Sequence, residues 1–97
     1  MNRESIRRKL VRCLFEDDIN IGEAIVRVFV LDKDKKHPAG WEGLDYDSVQ
    51  RALHDEVDEQ RIKRVFEELY SNGIIHSKDE GKKVTNRHYF LDNSLMN

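Results

Sequence analysis

"LYSNGIIHSKDEGKKVTNRHYFL" (residues 69–91) decides how this chain is read. Leu69 closes an apolar helical stripe, and Asn72-Gly73 is the kind of pair that ends a helix in a left-handed cap. Beyond it two short β-prone runs, "IIHSK" and "RHYFL", flank the polar, glycine-containing "DEGKKVTN". The stretch predicts a helix that runs through a glycine stop into a β-hairpin spanning 73–91.

Upstream, "DEQRIKRVFEELYSNG" sets Ile62, Val65, Phe66 and Leu69 at i, i+3, i+4 and i+7, with Asp58 as N-cap. Before that helix, "DYDSVQRALHDEV" predicts another, capped by Asp45 or Asp47 and burying Val49, Ala52 and Leu53. Residues 33–43, "KDKKHPAGWEG", contain the single proline and two of the five glycines, and read as a long loop. Residues 22–32, "GEAIVRVFVLD", are apolar on almost every side, so periodicity does not separate a buried helix from a strand; a helix is the reading adopted. At the start, "RESIRRKLVRCLF" (3–15) places Ile6, Leu10 and Leu14 on one helical stripe, and the acidic "EDD" with Asn20 then interrupts that helix.

Two helices with a tight connection, the second ending at glycine and entering a hairpin, match the winged helix-turn-helix arrangement. The expected fold class is α+β, mainly α: a three-helix core, a C-terminal β-hairpin wing and an extra N-terminal helix. With 97 residues and 38% hydrophobic composition, one domain is expected over 1–97, with 1–21 as a helical extension and 73–91 as the wing. The single cysteine, Cys13, cannot form an internal disulfide, which fits an intracellular setting. No apolar run approaches the roughly 20 residues that span a bilayer, and the first residues lack a signal-like apolar core.

Charge is abundant but balanced, with Lys+Arg 17 against Asp+Glu 19, so any electrostatic argument is local. Over 58–72, Arg61, Lys63 and Arg64 face Asp58, Glu59, Glu67 and Glu68, and Lys63–Glu67 and Arg64–Glu68 are spaced to neutralise each other. Phosphate binding requires uncompensated positive charge, which makes that helix a poor duplex reader. Two local excesses remain: Lys78, Lys82, Lys83 and Arg87 against Asp79 and Glu80 in the wing, and Arg3, Arg7, Arg8, Lys9 and Arg12 against Glu4 in residues 1–15. A DNA-binding alternative would therefore use Arg61, Arg64, Lys82, Lys83 and Arg87.

No enzyme is expected. There is no glycine-rich phosphate loop, no nucleophile beside a base and no resolvable carboxylate pair, and no cofactor is implied. Of the four histidines only His76 and His88 can meet across a hairpin, and without a further ligand nearby no metal site is expected.

The second half of the chain resembles a known family. Gly43-Leu44, Ile62-Lys63, the exit Leu69-x-x-x-Gly73-x-Ile75-x-Ser77, the acidic tip Asp79-Glu80 and the return His88-Tyr89 are similar to the C-terminal winged-helix domain of the middle subunit of replication protein A and its telomeric single-strand-binding counterpart. Residues 1–21, the long 33–43 loop, Asn72 and the basic Lys82, Lys83 and Arg87 depart from that pattern. The resemblance implies a nuclear protein-recognition module of a replication, repair or telomere assembly, docking a short helix of a partner on the wing side. Carried over by position, Ile75 and Tyr89 would be apolar contacts, His76 and Ser77 their strand neighbours, and Asp79 and Glu80 acids steering a basic peptide. Tyr70 joins them from the helical projection. The plainer alternative is that Ile75 and Tyr89 point inward and only support the wing, since alternation along "GIIHS" allows either Ile74 or Ile75 to face out. A third possibility is an assembly piece whose basic N-terminal helix packs on a sister subunit.

Overall fold

Two helices precede the first strand. In the computed structural model, which describes residues 3–33, 35–37, 39–40, 43–79, 81–83 and 86–95, α1 spans Arg3–Cys13 and α2 spans Ile19–Lys33, joined through a short 3-10 turn, Glu16–Asp18. Then come β1 (Leu44–Asp45), α3 (Tyr46–Leu53), α4 (Glu59–Ser71), β2 (Ile75–Ser77) and β3 (His88–Leu91). The architecture is mainly helical, with a three-stranded antiparallel sheet in the order β1-β3-β2. Registers are Leu44 opposite Tyr89, and Ile75, His76 and Ser77 opposite Leu91, Phe90 and Tyr89.

α2 is the hub. It packs on α1, α3, α4 and β3, burying Ile19, Ile21, Gly22, Ile25, Val26 and Phe29. That burial on several sides explains why its sequence has no clear apolar stripe, and why β-branched residues are kept in a helix against their modest intrinsic preference. The helix begins at Ile19, so Asn20 lies within α2 and is no part of the break after α1.

The local signals act as their chemistry dictates. The Ser48 amide donates to Asp45 Oδ1 at 3.0 Å, making Asp45 the N-cap of α3. Asp58 occupies the N-cap position of α4 but makes no side-chain cap bond. At the other end Gly73 takes φ 73°, its amide donates to Tyr70 O at 3.2 Å, and the Ile74 amide donates to Leu69 O at 2.9 Å. This is the paired bonding of a Schellman cap, with Ile74 and Leu69 both buried.

Two expectations need correction. Ala52 is exposed, and α3 buries Tyr46, Val49 and Leu53. Leu44-Asp45 is a strand as well as a lead into α3, because Gly43 at φ 107° lets the backbone run against Tyr89. A Cβ there would stand 2.2 Å from the Tyr89 carbonyl oxygen.

The core closes around Phe66. Its ring meets Tyr46 edge-on at 5.3 Å, Tyr89 edge-on at 4.6 Å and Phe29 at 6.3 Å, so α2, α3, α4 and β3 share one aromatic centre. Each such aromatic pair adds about 0.5–1.5 kcal/mol beyond the burial itself.

Candidate functional site

The outward side of α4 carries Arg61, Lys63 and Arg64, all exposed. Two of these are not free. Arg64 Nη2 donates to Asp18 Oδ1 at 2.9 Å and Oδ2 at 3.0 Å, and Arg61 Nη2 reaches Oδ1 at 3.3 Å and the Asp17 carbonyl at 3.1 Å. Asp18 is 3% exposed. The carboxylate that neutralises Arg64 therefore comes from the α1–α2 connector, and not from Glu68 one turn on as the i,i+4 spacing predicts.

The hairpin candidates are mostly turned inward. Ile75 and Tyr89 are fully buried, and Ile74 is buried with them, so the alternation resolves towards support of the core on both counts. They cannot act as direct apolar contacts. Ser77 is also buried, and its hydroxyl donates to Asp79 Oδ1 at 2.6 Å, while the His88 amide donates to the same oxygen at 3.2 Å. These bonds, that of Ser77 first, hold the Asp79 carboxyl below its ordinary range. Asp79 thus ties the base of the hairpin together, with Lys82 Nζ at 3.8 Å from Oδ2, and is not an outward guide for a basic peptide. Glu80 lies outside the described residues.

Tyr70 and His76 remain partly accessible. Tyr70 packs edge-on against Tyr89 at 5.6 Å, and the Arg87 guanidinium sits 5.4 Å over its ring. Arg87 Nε also donates to the Lys82 carbonyl at 2.7 Å. His76 Nε2 lies 2.6 Å from Asp92 Oδ1. Of the hairpin cations in the DNA-binding alternative, Lys82 and Lys83 are exposed and Arg87 is bound into the hairpin. Among the described residues no three His, Cys, Asp or Glu side chains gather as a metal site.

Sequence reasoning missed a different surface. Phe15, in the extended connector after α1, is 79% exposed, and Val11 on the last turn of α1 is 56% exposed. Phe15 borders a cleft of about 310 Å³ lined also by Arg12, Cys13, Leu14, Asp18, Arg64 and Glu68. Burial raises the Cys13 thiol above its ordinary range, and its S–H donates to the Lys9 carbonyl at 2.8 Å, leaving it a packing residue. The signal was available: Val11 and Phe15 fall off the Ile6–Leu10–Leu14 stripe. Asp18 gave none, because its partners are 43 and 46 positions away.

Comparison of the chain with protein-family models, with curated proteins and with solved structures returns no match. The motif behind the replication protein A resemblance is mostly interior: Leu44, Ile62, Leu69, Ile75, Ser77 and Tyr89 are all buried, and Gly43 and Gly73 sit at positive φ. Those residues speak for a backbone course and carry little information about a partner.

Proposed function

We propose that the chain is a non-enzymatic protein-recognition module with a winged-helix fold, in which α2, α3 and α4 are the core helices, β2 and β3 the wing, and α1 an added helix. The placement of β1 ahead of the α3–α4 pair and its pairing with β3 support that fold reading. The observation that carries the functional reading is the Asp18 seal: the helix a DNA reader would present has Arg61 and Arg64 committed to an internal carboxylate. Phosphate binding gains its free energy from positive charge that displaces counterions, and charge already neutralised contributes little of it. A nuclear replication, repair or telomere setting stays attached to this reading through the motif resemblance alone.

The test is fluorescence anisotropy of labelled duplex and single-stranded DNA titrated with the protein at low and near-physiological salt. A flat titration is expected. Micromolar binding that falls steeply with salt and is lost in a Lys82→Ala, Lys83→Ala variant would overturn the proposal in favour of a winged-helix DNA binder.

A further inference from the structure

We infer that the docking site of this module is the outer face of α1 together with the cleft beside Phe15, and that it receives an amphipathic helix of a partner protein with acidic residues beside an apolar stripe. This deepens the protein-recognition reading and rests on it.

Arg8, Val11 and Arg12 are exposed on one face of α1 at i, i+3 and i+4. Neither Arg8 nor Arg12 meets a carboxylate among the described residues, whereas Arg7 pairs with Glu23 and Lys9 reaches the Ser94 hydroxyl at 2.8 Å. Among the described residues, two cations without a carboxylate partner therefore bracket an exposed valine. Arg12 also lines the cleft with Cys13, Leu14 and Phe15, so the charged face and the recess are continuous.

An apolar side chain from a docked helix has the recess to enter, with Phe15 as a lid against it, and acids one turn away reach Arg8 and Arg12. This is helix-in-groove recognition. The residues after Phe15 set the polarity of the partner. Glu16 and Asp17 are exposed beyond the cleft and the exposed Glu68 lines it, so acids of the partner fit over Arg8 and Arg12 on α1 and a basic residue fits at the cleft or beyond it. A bilayer fits less well, because insertion draws on a broad apolar helical face and α1 offers only Val11 outward, with Phe15 beyond its end.

The experiment is selection of a phage-displayed library of random peptides, about 16 residues or some four helical turns long, on the immobilised protein. Enriched peptides are then synthesised and titrated against wild type, Phe15→Ala and the double variant Arg8→Glu, Arg12→Glu. These positions are exposed, and circular dichroism and melting confirm that the variants fold. Enrichment of peptides with apolar residues at helical spacing and adjacent Asp or Glu is expected, with affinity falling about tenfold or more in both variants, as for an interface anchor. Peptides that bind both variants like wild type would place the site elsewhere, and neutral or basic peptides, or none enriched, would overturn the acidic partner. Two controls complete the test: Phe15-dependent binding to vesicles of phosphatidylserine and phosphatidylcholine would assign the face to membrane, and a Phe15-dependent dimer in sedimentation would assign it to a second copy. Either result would replace the proposal. The DNA titration stays flat in all of these cases unless the wider reading is itself wrong.

Discussion

Asp18 and Arg64, 46 positions apart, meet through one guanidinium nitrogen placed 2.9 Å and 3.0 Å from the two carboxylate oxygens, and this contact fixes the α1–α2 connector to α4. Removing one partner of a fully buried ion pair costs about 3–5 kcal/mol. Here the arginines are 57% and 44% exposed on their side chains and rehydrate when released. Asp18→Asn is therefore expected to lower stability by about 1–2 kcal/mol, nearer the cost of a charged hydrogen bond, as read from urea denaturation. No change in midpoint would show that the connector is held by Leu14 and Ile19 packing alone.

Acid should loosen the end of the sheet before the core. Hydrogen bonds from Ser94, then from His76, hold Asp92 at about 2, below its ordinary carboxylate value. A depressed folded value means the stabilisation is complete above the unfolded pKa of about 4 and is lost as pH falls from there through about 2. Asp45 and Asp79 are lowered too, by their bonds from Ser48 and Ser77, and act in the same direction. Thermal melts across pH 6 to 2 should show a progressive loss that is shallower in Asp92→Asn; identical slopes would remove Asp92 from the account.

Tyr46 presents the opposite case. Its hydroxyl is buried without a hydrogen-bond partner among the described residues, and burial raises its pKa. A buried polar group left unpaired costs about 1–3 kcal/mol, so Tyr46→Phe should melt at the same temperature or higher while keeping the edge-on contact with Phe66. A marked loss of stability would mean that the hydroxyl is bonded in solution.

Gly43→Ala is expected to be among the most damaging single-methyl changes. It combines φ 107° with a Cβ placed 2.2 Å from the Tyr89 carbonyl, a backbone atom that cannot move without breaking the β1–β3 pairing. A loss of about 3 kcal/mol or more, the scale of a forced backbone outlier plus a lost strand contact, should appear as a lower denaturant midpoint.

How much of this was legible in the sequence depends on the range of the interactions involved. α4, its glycine stop and the hairpin were readable because their determinants lie within one or two turns of each other: the i, i+4 spacing of Ile62 and Phe66, and the Asn72-Gly73 cap. α2 was ambiguous by periodicity because neighbours cover it on several sides, a fact that belongs to the assembled core. β1 was missed because a two-residue strand is defined by its partner, Tyr89, and has no pattern of its own. The inward turn of Ile75, Ser77 and Tyr89 was hidden for a related reason: alternation gives Ile75 and its neighbours a side but does not say which side is covered, and here Ile74 and Ile75 are both enclosed. The Asp18 contact was out of reach, since only the folded chain brings residues 18, 61 and 64 together.

The order β1-β3-β2 also bears on how the chain is made. The last strand to leave the ribosome, 88–91, is the middle one, and β1 and β2 have no bonds to each other without it. Until it arrives, Leu44 and the Phe66 ring lack Tyr89, and Ile75 lacks its partner Leu91. The helices can gather early through their local contacts, but the sheet forms late, β2–β3 across a short hairpin and β1–β3 across more than forty residues. A nascent chain stalled before His88 should therefore be compact, helical and protease-sensitive at its C-terminal end.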